Sequence, residues 1–264
     1  MTLLGCKRDP VSDRDYRFAD YRSGFDRRIG EQPVECARLL QFAEVRQQLG
    51  QSCVGEWVAQ AQGIRDRAGG MDVRYSALAC YKFAVVEELT ETMGEGPPGD
   101  WTYSDQGTYL RAAARAVGKW GFVIEGDLKD GCWPHKPSVL LKTPSMRALN
   151  NARPSRGHVY LRITGSADER AADIEKAIRA GFPVGISIQV DDEILNWTGS
   201  GAINKPRGKV IGLHALTACA VRSDGCFGVV STWSAAWGDH GIAWVSSIAL
   251  NPSDIWVLGE GVTP

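Results

Sequence analysis

The interpretation of this chain depends most on residues 45–62, whose sequence is Val-Arg-Gln-Gln-Leu-Gly-Gln-Ser-Cys-Val-Gly-Glu-Trp-Val-Ala-Gln-Ala-Gln. They pass from a glutamine-rich loop into a predicted helix, with Cys53 at the junction and Ser52, a favourable N-cap residue, before it. A helix N-terminus offers unpaired N–H groups and a positive dipole end, and both stabilise a thiolate. Because a thiolate is the nucleophilic form, Cys53 is predicted to be reactive and not a core thiol. Gly55, early in the helix, indicates that another segment packs closely there.

The composition is that of an ordinary globular protein. The 264 residues are 44% hydrophobic and 23% charged, which allows one large domain or two lobes. The net charge of -1 and the pI of about 6.4 argue against a nucleic acid or an anionic membrane bound through bulk charge. No apolar run is long enough to span a membrane, and the first nine residues lack a secretory signal. The seven cysteines are scattered without a CxxC spacing, which predicts reduced thiols and no zinc site.

The periodicity changes midway along the chain, from helical to alternating. Residues 1–35 are rich in Arg, Asp and Tyr and predict an extended arm over the surface. Helices are predicted over residues 53–62, 75–92 and 108–119, followed by a long connection over 122–156. Strands are predicted over residues 159–163, 184–190, 213–221, 227–233 and 242–245, with a helix capped by Ser166 after the first of them. This order predicts an α+β fold with two lobes.

A thiolate nucleophile needs a base, and the base needs a residue that orients it. One of the four histidines, His214, begins an apolar strand in Gly-Lys-Val-Ile-Gly-Leu-His-Ala, where its ring is held in place. Residues 227–242 then form a strand and a turn with two tryptophans, Phe-Gly-Val-Val-Ser-Thr-Trp-Ser-Ala-Ala-Trp-Gly-Asp-His-Gly-Ile. Taken singly, a strand histidine or a pair of turn tryptophans is more often part of a core.

Together, the three segments resemble the papain-like cysteine peptidases. That family has a glutamine six residues before a Ser-Cys at a helix start, a Gly-x-His-Ala strand and an Asn-Ser-Trp-Gly-x-x-Trp-Gly-x-x-Gly turn. Here Gln47 lies six residues before Cys53, His214 lies in Gly-Leu-His-Ala, and residues 231–241 fill the turn without a gap. The resemblance covers roughly residues 35–264.

The form of the nucleophile segment is similar to the bacterial and phage branch of the family. Ser-Cys-Val-Gly stands where Cys-Gly-Ser-Cys-Trp is usual, and Gly50 occupies the position of the usual disulfide cysteine. The resemblance implies a papain-like two-lobe α+β fold in which residues 36–135 form a helical N-terminal lobe that carries the nucleophile. Residues 136–264 then form a mainly antiparallel β-rich C-terminal lobe that carries the histidine, with the active site between the lobes and the whole forming one catalytic domain.

The resemblance also implies a set of catalytic residues. Cys53 is the nucleophile, His214 is the base and acid, and Ser231 stands in the place of the asparagine that orients the histidine. Gln47 and the Cys53 backbone N–H form the oxyanion site. The loop after Arg46 is one residue shorter than the family pattern, so Gln48 is the alternative to Gln47.

Three further residues are implied to lie at the substrate. The loop from Asp105 to Gly107 corresponds to the segment that pairs with the substrate backbone, although only one glycine of the family's pair is present. Trp233 corresponds to the indole that shields the contact between the histidine and its orienting residue.

The expected function is therefore hydrolysis of peptide bonds by a thiol peptidase that acts on a peptide or protein substrate. No cofactor, metal, nucleic acid or membrane is expected, and the location is expected to be cytoplasmic, or virion-associated if the chain is phage-encoded. Two alternatives remain open at this stage: a catalytically silent papain fold used for binding or structure, and a cell-wall peptide hydrolase.

Overall fold

The computed structural model describes residues 4–10, 12–29, 36–93, 104–199 and 201–259. Their α-helices are α1 (Arg22–Ile29), α2 (Cys53–Ala68), α3 (Ala77–Met93), α4 (Leu110–Trp120), α5 (Met146–Ala152), α6 (Ala167–Arg179) and α7 (Asp192–Leu195). Their strands are β1 (Cys6–Lys7), β2 (Tyr16–Arg17), β3 (Thr108–Tyr109), β4 (Val159–Arg162), β5 (Val184–Val190), β6 (Ala202–Ile203), β7 (Gly212–Val221), β8 (Phe227–Val230), β9 (Ile242–Val245) and β10 (Leu250–Gly259). Among the helices of these residues, none has the length and apolar character needed to cross a bilayer.

The strands form a mixed sheet in the order β2-β4-β10-β5-β7-β8-β9-β6. Its central pairs are antiparallel, and parallel pairs occur at the two ends, between β2 and β4 and between β6 and β9. Strand β1 lies outside this order and pairs with both β7 and β3. The sheet therefore joins the second half of the chain to a short strand from its beginning.

Helix α2 is buried along most of its length because neighbours approach it closely on two sides. A Cβ at Gly55 would lie 2.3 Å from the carbonyl oxygen of Ala77 and 2.6 Å from the amide nitrogen of Tyr81. Only a glycine lets α3 pack this closely, which confirms the close approach predicted from Gly55. On the other side, a Cβ at Gly185 of β5 would lie 1.9 Å from the Trp57 indole. The first residue of α2 is thus fixed at the boundary between helices and sheet.

The α+β organisation predicted from the sequence is confirmed, with the helices α2 to α4 ahead of the long strands. The Ser166 cap is also confirmed, because its hydroxyl accepts a hydrogen bond from the Glu169 N–H and the Glu169 carboxylate accepts one from the Ser166 N–H. Strand β10 was not predicted, since Asn-Pro-Ser-Asp at residues 251–254 interrupts its alternation and its register shifts at this point.

The arm over residues 1–35 is not extended throughout, which corrects the sequence prediction for its second half. Residues 22–29 form α1, and Phe25 of that helix is fully buried between Phe18 and Phe182, at ring-centroid distances of 4.4 and 4.9 Å. Helix α1 could not be predicted from the sequence, because Phe25 is its main buried apolar side chain and one such residue gives no helical periodicity. Its partner Phe182 lies in the other half of the chain.

Candidate active site

Cys53 is the first residue of α2, as predicted, and its side chain is fully buried. Ser52 is the N-cap, and its carbonyl accepts hydrogen bonds from the N–H groups of Gly55 and Glu56 at 2.9 and 3.0 Å. The Ser52 hydroxyl has no partner among the described residues, so the cap is formed by the main chain. This geometry fixes the Cys53 thiol at the open end of the helix.

Burial has the largest effect on the Cys53 thiol and raises its pKa to about 11. The backbone amides of Ala215, Gly5 and Val54 lie against the sulfur and act in the opposite direction. The sequence argument considered the helix terminus alone and predicted a stabilised thiolate. In this structure the removal of the sulfur from water outweighs that effect, so the thiol is protonated at neutral pH.

His214 lies near the start of β7 and is also fully buried, directly before Ala215. Its imidazole stacks on the indole of Trp233, with ring centroids 3.8 Å apart and an interplanar angle of 17°. Burial lowers the pKa of His214 to about 3, which keeps the ring neutral. The backbone of Ala215, the residue after the predicted base His214, therefore lies at the sulfur of Cys53, the predicted nucleophile.

Thr232 determines which nitrogen of His214 carries the proton. The Gln48 side-chain N–H donates to the Gly50 carbonyl at 3.0 Å, which directs its Oε1 toward Thr232. The Thr232 hydroxyl donates its one proton to that Oε1 at 2.6 Å and lies 3.2 Å from His214 Nε2. Nε2 must therefore donate to the threonine, and Nδ1 is left unprotonated. Nδ1 has no hydrogen-bond partner among the described residues.

Ser231, the predicted orienting residue, is buried one position before Thr232. Its hydroxyl oxygen accepts a hydrogen bond from the Trp233 N–H at 3.0 Å. Thus Ser231 holds the backbone of the turn, and Thr232 makes the contact with the imidazole. Thr232 was not predicted from the sequence. The one feature that could have indicated it is that it carries a hydroxyl directly after Ser231, the residue at the position of the family asparagine.

The two candidate glutamines face different environments. Gln47 is exposed, and its carbonyl oxygen lies 3.0 Å from His135 Nε2. Gln48 is buried, its N–H donates to the Thr232 carbonyl at 2.7 Å, and its side chain reaches the Thr232 hydroxyl. Both residues line one cavity together with Thr232 and Trp233, so both lie beside the candidate site.

Asp105 and Gly107 lie beside the loop that precedes Cys53. The Asp105 carboxylate accepts hydrogen bonds from the Gln51 N–H at 3.0 Å and from the Tyr81 hydroxyl at 2.8 Å. The Gly107 N–H donates to the same Tyr81 hydroxyl at 3.0 Å. Asp105 therefore stabilises the nucleophile loop, while Gly107, with φ of +70°, faces the backbone of Gly5.

Comparison with solved structures identifies the architecture. The cysteine protease xylellain from Xylella fastidiosa aligns over 97% of this chain and 95% of its own, with a TM-score of 0.69 and 19% identity. Procathepsin B S9 from Trypanosoma congolense aligns over 99% and 87%, with a TM-score of 0.64 and 15% identity. The bromelain protease from Ananas comosus, in complex with the E64 inhibitor, aligns over 86% and 100%, with a TM-score of 0.58 and 16% identity. The fold is papain-like. No protein family and no curated protein matches the sequence.

The papain-like fold leaves an open cavity of about 540 Å³ beside the candidate site, on the side of Gln48 and Thr232. Trp197, Trp233 and Trp237 provide its aromatic wall. Trp233 and Trp237 meet edge to face, with centroids 5.4 Å apart. Within the described parts of the chain, no group of three or more His, Cys, Asp or Glu side chains is arranged to hold a metal ion.

We expect alkylation of Cys53 in the folded protein to be slow at pH 7 and to accelerate as the pH rises, because burial raises the thiol pKa to about 11. Iodoacetamide labelling between pH 6 and 10, read by peptide mass spectrometry, measures this rate against the half-buried Cys132. Fast labelling of Cys53 at pH 6 would show instead that the helix terminus controls the ionisation of the thiol.

Proposed function

We propose that this chain is a cysteine peptidase that hydrolyses peptide bonds with Cys53 as nucleophile and His214 as base and acid. The observation that carries the proposal is the hydrogen-bond chain from Gln48 through Thr232 to His214. It holds the histidine in the tautomer whose Nδ1 can accept a proton. A neutral base held in one tautomer, with the backbone of the next residue, Ala215, at the helix-terminal thiol, supports nucleophilic catalysis. The papain-like fold supports the same conclusion.

In the first step, His214 Nδ1 takes the thiol proton of Cys53, and the sulfur attacks the carbonyl carbon of the substrate peptide. The carbonyl becomes a tetrahedral oxyanion with a new C–S bond. His214 then gives its proton to the leaving nitrogen, the C–N bond breaks, and an amine departs. The product on the enzyme is a thioester at Cys53.

In the second step, His214 Nδ1 takes a proton from water, and the resulting oxygen nucleophile attacks the thioester carbon. The C–S bond breaks as the tetrahedral intermediate collapses, and the proton returns from the imidazolium to the sulfur. The carboxylic acid product leaves, and the thiol of Cys53 is regenerated. The atoms of one water molecule are thus divided between the two peptide products.

The oxyanion needs donors that are already in position. The Cys53 backbone N–H at the start of α2 is one, and a side-chain amide of Gln47 or Gln48 is the second. The Gln48 side chain is already engaged, because its N–H donates to the Gly50 carbonyl and its Oε1 accepts from the Thr232 hydroxyl, so Gln47, which also has the spacing of the family motif, is favoured. Loss of such a donor lowers kcat by about 10²–10³-fold in other hydrolases, so Gln47→Ala is the test. Gln48→Ala does not give the same information, because it also removes the acceptor of the Thr232 hydroxyl.

Two adjacent hydroxyls support the histidine, and we expect each to contribute modestly. Thr232→Val removes the acceptor of the Nε2 proton and should lower kcat by about tenfold, which is roughly 1.4 kcal/mol of barrier. Ser231→Ala removes the acceptor of the Trp233 N–H and should also lower kcat by about tenfold, by loosening the turn. Ser231→Asn, which restores the family residue, should keep or raise activity.

Kinetics on a fluorogenic peptide test these variants, with Thr217→Val as the matched control. Thr217 is a buried threonine of the same strand as His214, but its odd-numbered spacing from His214 places it on the other side of the sheet. An orienting role also requires Thr232→Val to shift the pH profile of kcat. An unshifted profile with full activity would remove Thr232 from the mechanism.

The proposed function itself is tested by intact-mass measurement after incubation with an epoxysuccinyl peptide, together with turnover of a mixed peptide library. One adduct on Cys53 and cleavage of the library are expected. Library cleavage without any adduct would place the nucleophile elsewhere. If the cleft is shown to be open and neither an adduct nor cleavage is observed, the chain is a silent papain fold. If only peptidoglycan stem peptides are cleaved, the chain is a cell-wall hydrolase.

A further inference from the structure

Glu56 lies about one helical turn after Cys53 on α2 and is fully buried. Neither oxygen of its carboxylate has a hydrogen-bond partner among the described residues. Two basic groups lie at ion-pair distance: Arg46, with Nη1 3.9 Å from Oε2, and His135, with Nδ1 3.8 Å from Oε1. A buried carboxyl without hydrogen bonds destabilises a folded protein. Such a residue beside the nucleophile indicates a functional role, and the proposed mechanism gives Glu56 none.

His135 connects Glu56 to the loop that carries the proposed oxyanion donor, Gln47. Its Nε2 lies 3.0 Å from the Gln47 carbonyl oxygen. Because a carbonyl oxygen can only accept, Nε2 carries a proton and donates it. The other ring nitrogen, Nδ1, faces Glu56 and has no hydrogen-bond partner among the described residues. One imidazole thus links the buried carboxyl to the main chain of Gln47.

The contact between His135 and Glu56 favours a proton between them. In a neutral imidazole with its proton on Nε2, Nδ1 carries a lone pair, which would repel an ionised carboxylate. A proton on either group removes this repulsion, as an imidazolium beside a carboxylate or as an imidazole beside a carboxylic acid. Burial has the largest effect on Glu56 and raises the pKa of its carboxyl, while Arg46 and His135 act in the opposite direction. In both forms the ring keeps its Nε2–H at Gln47.

The peptide unit between Gln47 and Gln48 is held at both of its polar groups. Its carbonyl accepts a hydrogen bond from His135, and its N–H, that of Gln48, donates to the Thr232 carbonyl at 2.7 Å. The main chain of Gln47 also forms a β-bridge with Trp233. Because a peptide unit is planar, hydrogen bonds at its two ends fix its orientation and hence the direction in which the Gln47 side chain starts.

We propose that His135 and Glu56 are positioning residues of the oxyanion site, which hold the peptide between Gln47 and Gln48 so that the Gln47 side-chain amide is aimed at the substrate carbonyl. This inference rests on the proposed function, since it concerns a donor of the proposed reaction. A donor stabilises the oxyanion only if it is already held where the charge develops. Gln47 is exposed, so its donor is fixed through the main chain and not by packing of the side chain.

The first test compares His135→Ala with Lys136→Ala, which alters the exposed next residue of the same loop. His135→Ala releases the Gln47 carbonyl and should lower kcat on a fluorogenic peptide about tenfold with little change in KM, because the lost alignment matters in the transition state. Lys136→Ala should keep both constants. Kinetics are measured with and without Gly5→Val, because Cys53 is fully buried and a side chain at residue 5 is expected to open the site.

Substitution of Glu56 separates positioning from packing. Glu56→Gln offers an N–H to His135 Nδ1 in place of the shared proton and should keep most of kcat. Glu56→Met fills a similar volume with no hydrogen-bond donor and should lower kcat about tenfold. Urea unfolding verifies that both variants are folded under the assay conditions. If the two variants kept the parent kcat, or lost it equally, Glu56 would have no positioning role.

A double-mutant cycle determines whether His135 acts through Gln47. In Gln47→Ala the side-chain donor is absent, so adding His135→Ala should lower kcat by less than about twofold, against about tenfold when Gln47 is present. Losses of about tenfold in both backgrounds would show that His135 acts by another route and would overturn the inference.

The chemical shift of the Gln47 carbonyl carbon, measured by NMR, gives a readout that needs no activity. It should move in His135→Ala and in Glu56→Met and stay in place in Glu56→Gln and Lys136→Ala. These shifts without peptide hydrolysis by any form would support the hold of the pair on Gln47 and overturn the peptidase. Hydrolysis by the parent, with an unmoved resonance and an unchanged kcat in His135→Ala, would overturn the inference and support the peptidase.

Discussion

Cys53→Ala is expected to lower peptide turnover by at least about 10³-fold, because no other group in the proposed mechanism can form the thioester. The effect is to be measured in a Gly5→Val background, because Cys53 is fully buried and a side chain at Gly5, which would lie 1.9 Å from the Gln51 carbonyl oxygen, is expected to displace residues 4–10 and open the site. The substitution removes one sulfur from a fully buried position, so the free energy of unfolding should fall by only about 1 kcal/mol. Steady-state kinetics and urea unfolding give the two quantities.

Cys219→Ala is the matched control for this prediction. Cys219 is also a fully buried cysteine, but it lies further along β7 in the core of the sheet. The control should lose a similar amount of stability and keep its turnover. If Cys53→Ala retained more than about a tenth of the turnover, or if both variants lost turnover equally, the thiol would have no chemical role.

The sequence could predict the position of Cys53 and His214 because both lie on elements with a strong local pattern. A helix start and a long apolar strand are fixed by residues within one window of the chain. The motif that contains Ser231 begins directly after the end of β8 at Val230. Beyond Val230 the backbone forms a turn. Residue spacing in the sequence does not determine which of the two hydroxyls there, that of Ser231 or that of Thr232, points at the imidazole.

The position of residues 4–10 could not be predicted, because β1 has two residues and its partners lie about a hundred or more positions along the chain. No alternation can be detected over so short a strand. The close packing of this segment requires that residue 5 has no side chain. Glycines also occur often in turns, bulges and helix ends, so the presence of Gly5 does not indicate a buried strand.

The charge state of the thiol also depends on this segment. From the sequence, Cys53 is a cysteine at a helix N-terminus and is expected to ionise readily. In the structure, the covered site excludes water, and burial raises the thiol pKa to about 11 while it lowers the His214 pKa to about 3. Both shifts favour the neutral pair, so the Cys53 thiol is predicted to be a poor nucleophile at neutral pH in this arrangement.

His214→Gln is expected to have the second largest effect, a loss of about 10²–10⁴-fold in kcat in the opened Gly5→Val background. Glutamine retains polar atoms in the buried site but cannot take the proton of Cys53. In the opened parent, the neighbouring imidazolium stabilises the thiolate, so labelling of Cys53 should already be fast near pH 6. With glutamine, labelling should follow an ordinary thiol and increase only toward about pH 8–9 or above.

The control for this prediction is His158→Gln, which alters another buried histidine, one that packs edge to face against Phe122 with ring centroids 5.2 Å apart. Its kcat and its labelling profile should equal those of the opened parent. The pH profile separates a chemical role for His214 from a structural one, since a merely loosened fold lowers kcat without moving the ionisation of the thiol. An unmoved profile in His214→Gln, with more than about a tenth of kcat retained, would mean that another group takes the proton of Cys53.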